Sequence, residues 1–282
     1  MALFGKRRVG NRKVGRSSGP RKVRRGRRLT REDRRGIAVF SLCAVALAAL
    51  GLFALEVVRA PERDYDRVTL CNPSLPRFSQ HIVVIDASDT LSPHQTHFLD
   101  THLSGLLEAA AVNDRFSIFV LDDHYNGLSE PVVDLCKPHS GEDVSALTAN
   151  QQFVQALYRE RFEQPLDRAI EKAVSGGEQP VSPIYEALSD VAALNHLDPA
   201  AENVHLTIVS DMIQNSRAGS VFKRGSAAID QLPPIDLRRA RTRVLWLDRE
   251  KYQRYQTAEL EASWQDYLGS VSRLEQIQRV RD

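Results

Sequence analysis

The stretch Asp86-Ala-Ser88-Asp-Thr90 carries three hard oxygen side chains at alternate positions. A loop of that kind can aim alternate side chains at one point, and an all-oxygen set favours Mg²⁺, Mn²⁺ or Ca²⁺ over zinc. The competing reading is that Asp86, Ser88 and Thr90 simply satisfy loop amides. Asp211 resembles Asp86 in its setting, because each follows a short apolar run. His94, His97 and His102 fall at helical spacing. The first two are one turn apart, and a helical His pair without a nearby Cys or third ligand reads as surface or supporting residues rather than a zinc site. No G-x-S-x-G elbow, P-loop or H-E-x-x-H is present.

The elements that would position these residues follow from periodicity. His81-Ile-Val-Val-Ile-Asp86 is a continuous β-branched run, as expected of a strand covered on both faces. Ser92-Pro93-His94-Gln95 is a capping-box pattern, and Phe98, Leu99, Leu103, Leu106, Leu107 and Ala110 continue at helical spacing, predicting a helix over 93–111. Strands are expected at 116–121, 131–136, 204–210 and 243–247, and helices at 150–162, 166–174, 182–195 and 257–268, with Gly176-Gly177 as a break. The last residues fit either element. Alternation of strand and helix predicts an α/β fold, a doubly wound, mostly parallel sheet whose ligands sit at the carboxyl ends of the strands. Asp86 and Asp211 are both expected there.

At this point the sequence resembles the von Willebrand factor type A (vWA) domain, whose metal-ion-dependent adhesion site begins D-x-S-x-S after the first strand. Ser182-Pro-Ile-Tyr-Glu-Ala-Leu188 is similar to the family's T-x-I-x-x-A-L segment, and Thr207-Ile-Val-Ser-Asp211 to its strand ending in T-D-G. The resemblance covers roughly residues 80–250. It implies a divalent cation, Mg²⁺ or else Mn²⁺ or Ca²⁺, held directly or through water by Asp86, Ser88, Thr90, Ser182 and Asp211, with an open position for a carboxylate from a partner protein. Met212 stands where the family has Gly, Thr90 where it usually has Ser, and Asp89 adds a carboxylate.

The net charge of +2 hides a sharp split: residues 1–35 carry fifteen basic and two acidic side chains, or +13, leaving −11 for the rest. Residues 37–55, IAVFSLCAVALAALGLFAL, hold no charge. At 1.5 Å per residue the helix from Ile37 to Val58 reaches roughly 33 Å, the thickness of a bilayer core. A cleaved signal would place small residues at the end of the run, whereas Ala44, Ala46, Ala48 and Ala49 lie inside it. Arg34-Arg35 faintly echoes a twin-arginine signal. The basic excess puts the N-terminus in the cytoplasm and the larger part on the far side, read here as the bacterial inner membrane and periplasm. The expected organisation is a disordered basic tail (1–35), a transmembrane helix (36–58), a linker with a first strand-like segment (59–79) and a vWA-like domain (80–282). The tail could serve only to set the topology, hold anionic lipid or touch nucleic acid; no aromatics interleave with its arginines, so stacking on bases has no support.

Three cysteines exclude a disulfide-dense miniprotein. Val68-Thr-Leu-Cys71-Asn-Pro73 is echoed by Val133-Asp-Leu-Cys136-Lys-Pro138, and export would place both cysteines in an oxidising compartment, so a Cys71–Cys136 disulfide is expected. Cys43 lies within the apolar run. The function expected is non-enzymatic: cation-dependent protein binding in an envelope assembly. One alternative is a metal-independent scaffold of the same fold. Another is a phosphatase-like hydrolase using Asp86, because D-x-D-x-[TV] of the haloacid dehalogenases also begins at such a strand end. Ser88 stands where that motif needs its second Asp, the general acid/base.

Overall fold

A computed structural model describes residues 30–281 apart from 59–64, 122–129, 148, 178 and 194–195. It divides into two units, Met1–Arg59 and Ala60–Asp282. In the first, α1 spans Arg31–Val58. Its start is capped reciprocally, Thr30 N–H to Asp33 Oδ2 at 3.0 Å and Asp33 N–H to Thr30 Oγ1 at 3.2 Å. That box draws Arg31–Arg35 into the helix, correcting the expectation that the whole of 1–35 is unstructured; residues 1–29 lie outside the described part. The segment Arg31–Ala54 is long and apolar enough to cross a membrane.

The second unit is a six-stranded sheet with helices on both faces. In chain order its elements are β1 (Arg77–Asp86), α2 (Pro93–Ala109), β2 (Arg115–Leu121), β3 (Val133–Cys136), α3 (Gln151–Tyr158), α4 (Gln164–Val174), α5 (Ile184–Ala193), β4 (Ala201–Ser210), α6 (Val221–Arg224), α7 (Ala227–Asp230), β5 (Ala240–Leu247), α8 (Ala258–Val271) and β6 (Arg273–Val280). The strand order is β3-β2-β1-β4-β5-β6. All neighbours run parallel except β3, which is antiparallel to β2. This is the mostly parallel doubly wound α/β architecture expected.

The apolar runs do what continuous β-branched strands require. Along β1, Ile82 and Val84 point into a core with α5 and α8, including Ile184, Leu188 and Trp264. Val83 and Ile85 point into the other, with Leu99 and Leu103 of α2 and Leu166 and Ala169 of α4. Each layer buries its side chains against a different set of helices, so from Ile82 to Asp86 neither face of β1 is free for solvent.

Two local features depart from the sequence reading. Residues 151–174 do not break into two helices; α3 runs through a π-helical turn at Arg159–Glu163 into α4, with Pro165 in the first turn of α4. Proline has no N–H to give the preceding turn, and a widened turn accommodates its ring. The chain end becomes a sixth strand, with Val244 aligned on Ile277 and Leu247 on Val280. The expected disulfide ties residues 65–76 to the domain. Cys71 and Cys136 form a disulfide with Cα atoms 4.8 Å apart, and Asn113 binds Asn72 N–H through Oδ1 at 2.8 Å and Asn72 carbonyl through Nδ2 at 3.0 Å.

Candidate functional site

The parallel register sets Ile85 against Val209, which brings the ends of β1 and β4 side by side. Asp86 is 3 % exposed and Asp211 is 4 % exposed. Asp86 Oδ2 accepts hydrogen bonds from Ser182 Oγ and Ser210 Oγ, both at 2.8 Å. Its other oxygen accepts the Ser88 N–H at 3.0 Å. Asp211 Oδ1 accepts the Ile213 N–H at 2.8 Å. Burial and then the neighbouring Asp86 carboxylate push Asp211 up to about 7, against the partial relief of the Ile213 amide and Arg249. Burial beside a second carboxylate raises the cost of ionising Asp211, and a cation between the two acids would remove that cost.

Of the five residues expected as ligands, Ser182 and, through its backbone N–H, Ser88 meet Asp86, and Asp211 follows the neighbouring strand end. Thr90 is the exception. It is exposed, and its hydroxyl donates to the Gly176 carbonyl at 3.1 Å. Gly176 is itself pressed against the loop, because a Cβ there would stand 2.3 Å from the Ala87 carbonyl oxygen. The loop after β1 is further pinned by Gln179, whose N–H reaches the Ser88 carbonyl at 2.9 Å.

Ser182 is not merely a helix cap, since its hydroxyl goes to Asp86. Its backbone pairs with Asn215 in both directions, at 3.0 and 2.9 Å, so the segment after Asp211 holds it in place. Glu186 anchors that segment by accepting from Gln214 Nε2 at 2.9 Å and from the Ser216 hydroxyl. Met212 adopts a left-handed backbone that favours Gly: its φ is 60° and its side chain is fully buried. The strained turn is held by Trp264 Nε1, which donates to the Met212 carbonyl at 2.8 Å.

Sequence reasoning missed Ser210, Arg249 and Gln256. Ser210 was visible as the residue before Asp211, but only the register shows that it lies across from Asp86. Arg249 is buried and donates to the carbonyls of Thr90 and, at 3.2 Å, Asp89. Gln256 Nε2 donates to the Asp211 carbonyl at 3.0 Å and to the Leu247 carbonyl at 2.7 Å. Their position on the loop leaving β5, at the carboxyl edge of the sheet, was the available signal. Asp89 is paired with Lys251. The three helical histidines stay on α2, away from these groups, and among the described residues no cluster of three or more His, Cys, Asp or Glu is arranged for a metal.

An oxygen set of two carboxylates and serine hydroxyls suits a hard divalent ion, and the buried acid pair fits its charge. No protein-family model matches the chain, and no curated protein matches it. Among solved structures it is similar to proximal thread matrix protein 1 from the mussel byssus with a zinc-occupied MIDAS motif, at 9 % identity and TM-score 0.35, covering 73 % of this chain and 44 % of that one. It is also similar to an aerotolerance-related membrane protein from Bacteroides fragilis, at 11 % identity and TM-score 0.34, covering 72 % and 91 %. A third is the conserved hypothetical protein BatB from Bacteroides thetaiotaomicron, at 11 % identity and TM-score 0.34, covering 73 % and 91 %. The chain spans less than half the length of the mussel protein.

Proposed function

On a chain with a vWA-like domain and one apolar N-terminal helix, we propose a membrane-anchored receptor that binds a partner protein through a divalent cation. Asp86, Ser88, Ser182 and Asp211 would hold the ion, with Thr90 contributing once its hydroxyl leaves the Gly176 carbonyl. The ion would supply charge compensation for the two acids and an open position for a partner carboxylate. The protein's part is positional: Ser182, Ser210, Arg249 and Gln256 hold the loops so that the oxygens face one place. The proposal is one of ligation, without a nucleophile or a general base. In this reading the N-terminus is cytoplasmic and the domain faces the periplasm of a bacterial envelope.

The observation that supports it best is the meeting of Ser182 and Ser210 on a single oxygen of Asp86, with buried Asp211 next in the chain. The test is calorimetric titration of the full chain in detergent with Mg²⁺ and Mn²⁺, beside Asp86→Asn and Asp211→Asn. Binding in the parent and none in the variants is the expected result. Equal heats in all three, or none in the parent, would leave the metal-independent scaffold as the better reading.

A further inference from the structure

Beside the acid pair stands an aromatic group drawn from two loops. Phe222 on α6 packs against Tyr252 and Tyr255 of the loop leaving β5, with ring centroids 5.5 Å and 4.9 Å apart. Phe222 is 38 % exposed, although it sits between buried Val221 and the charged end of α6. Cations flank the rings: Lys251 Nζ lies 4.8 Å from the Tyr252 centroid, and the Arg254 guanidinium carbon 4.6 Å from that of Tyr255. The group borders the proposed site, because on the same loop Gln256 binds the Asp211 carbonyl and Lys251 pairs with Asp89.

The charges on this rim are unbalanced. Arg217, Lys223, Arg224 and Arg254 are exposed, and none pairs with a carboxylate among the described residues; Arg224 reaches only the neutral Gln231. The one basic residue here in an ion pair is Lys251, bound to Asp89. An exposed ring next to unpaired arginine and lysine side chains is suited to a ligand with an apolar side chain between carboxylates. Aromatic and Arg side chains of this kind are where interface energy concentrates.

We propose that Phe222, Tyr252 and Tyr255, with Lys223 and Arg254, form a docking platform for an acidic segment of a partner protein carrying an apolar side chain. The ring of Phe222 receives the apolar side chain, while Lys223 and Arg254 meet carboxylates beside it. This rests on the proposed binding role and adds what the partner must look like beyond the single carboxylate that a metal would take.

The full chain in detergent is titrated with short fluorescein-labelled peptides of repeating Glu-Glu-Phe, Glu-Glu-Ser and Lys-Lys-Phe, while Mn²⁺ binding is measured separately. Expected is a preference for Glu-Glu-Phe, about tenfold over Glu-Glu-Ser and more over Lys-Lys-Phe. Phe222→Ser and the pair Lys223→Glu, Arg254→Glu should each remove about a tenfold advantage, with Mn²⁺ binding and melting temperature kept. Equal binding of all three peptides, variants that bind like the parent, or displacement of the peptide by anionic lipid vesicles would overturn the platform. Peptide preference without Mn²⁺ binding would leave the platform standing and sink the metal reading; Mn²⁺ binding without peptide preference would do the reverse.

Discussion

Ser182 donates its hydroxyl to Asp86 Oδ2 at 2.8 Å across 96 positions of chain, and Ser210 meets the same oxygen from the neighbouring strand. A carboxylate oxygen that accepts two hydroxyls is held in one orientation. The bonds also offset part of the cost of burying Asp86, which has no ion pair among the described residues. Ser182→Ala should leave the Ser210 bond in place. It is expected to cost about 1 to 2 kcal/mol of stability and to lower Mn²⁺ affinity by about tenfold. Urea unfolding beside metal titration would measure both, and an unchanged affinity would remove Ser182 from the ligand set.

Asp211→Asn should make the metal-free protein more stable, because one of two neighbouring buried charges is removed while the side chain keeps its size and its hydrogen-bonding oxygen. Adding Mn²⁺ should stabilise the parent and not the variant. Melting curves with and without the ion decide it. A variant less stable than the metal-free parent would show that Asp211 is held by structure and not by the absence of a ligand.

Met212→Gly sets two effects against each other. Relief of a left-handed backbone at φ 60° is worth about 1 kcal/mol. Loss of a fully buried Met side chain costs about 2 to 3 kcal/mol. The second wins, so the variant should be less stable by roughly 1 to 2 kcal/mol in urea unfolding. A stabilised variant would mean that the side chain contributes little beside the strain.

Reduction of Cys71–Cys136 should lower the melting temperature. The bridge closes a loop of 65 residues, worth about 4 kcal/mol in the chain-entropy model, or on the order of 10 °C for a domain of this size. Cys71→Ser with Cys136→Ser should reproduce the effect without reductant. A shift below about 2 °C would show that the Asn72–Asn113 bonds hold the segment alone.

Acid should weaken the fold through His81. It stacks between Phe116 and His205, with centroids 4.9 Å and 5.2 Å away. Burial first, and then His205, lower it from 6.5 to about 4. Between those values the unfolded chain binds the proton and the folded one does not, so stability falls as pH drops from about 6.5 towards 4 and is fully present above 6.5. The upper bound is about 3 kcal/mol, reduced because the ring is only partly buried. His81→Gln should flatten this slope in urea unfolding at a series of pH values; an unchanged slope would assign it to other groups.

The proposed export of the domain is tested by reporter fusions after Ala60. Activity only from a reporter that works outside the cytoplasm is expected from the basic excess before α1. The opposite pattern would invert the proposed topology.

Much of the molecule follows from local rules. The uncharged run at 37–55, the β-branched run from His81 to Ile85 and the capping box at Ser92 and Gln95 specify a long apolar helix, a doubly covered strand and a helix start, because each depends on neighbours a few positions away. The acids at the ends of β1 and β4 were legible for the same reason, as were Cys71 and Cys136. The tertiary structure decided what long-range alignment controls. The β1–β4 register places Ser210 opposite Asp86; the edge of β5 turns the ambiguous chain end Arg273–Val280 into a strand; and the loop after β5 brings Arg249 and Gln256 back onto the loops after β1 and β4. Thr90 shows the limit on the other side: its type and spacing match a ligand, yet its hydroxyl turns to Gly176, 86 residues away, because the space beside a residue without a Cβ is settled only when the two segments pack.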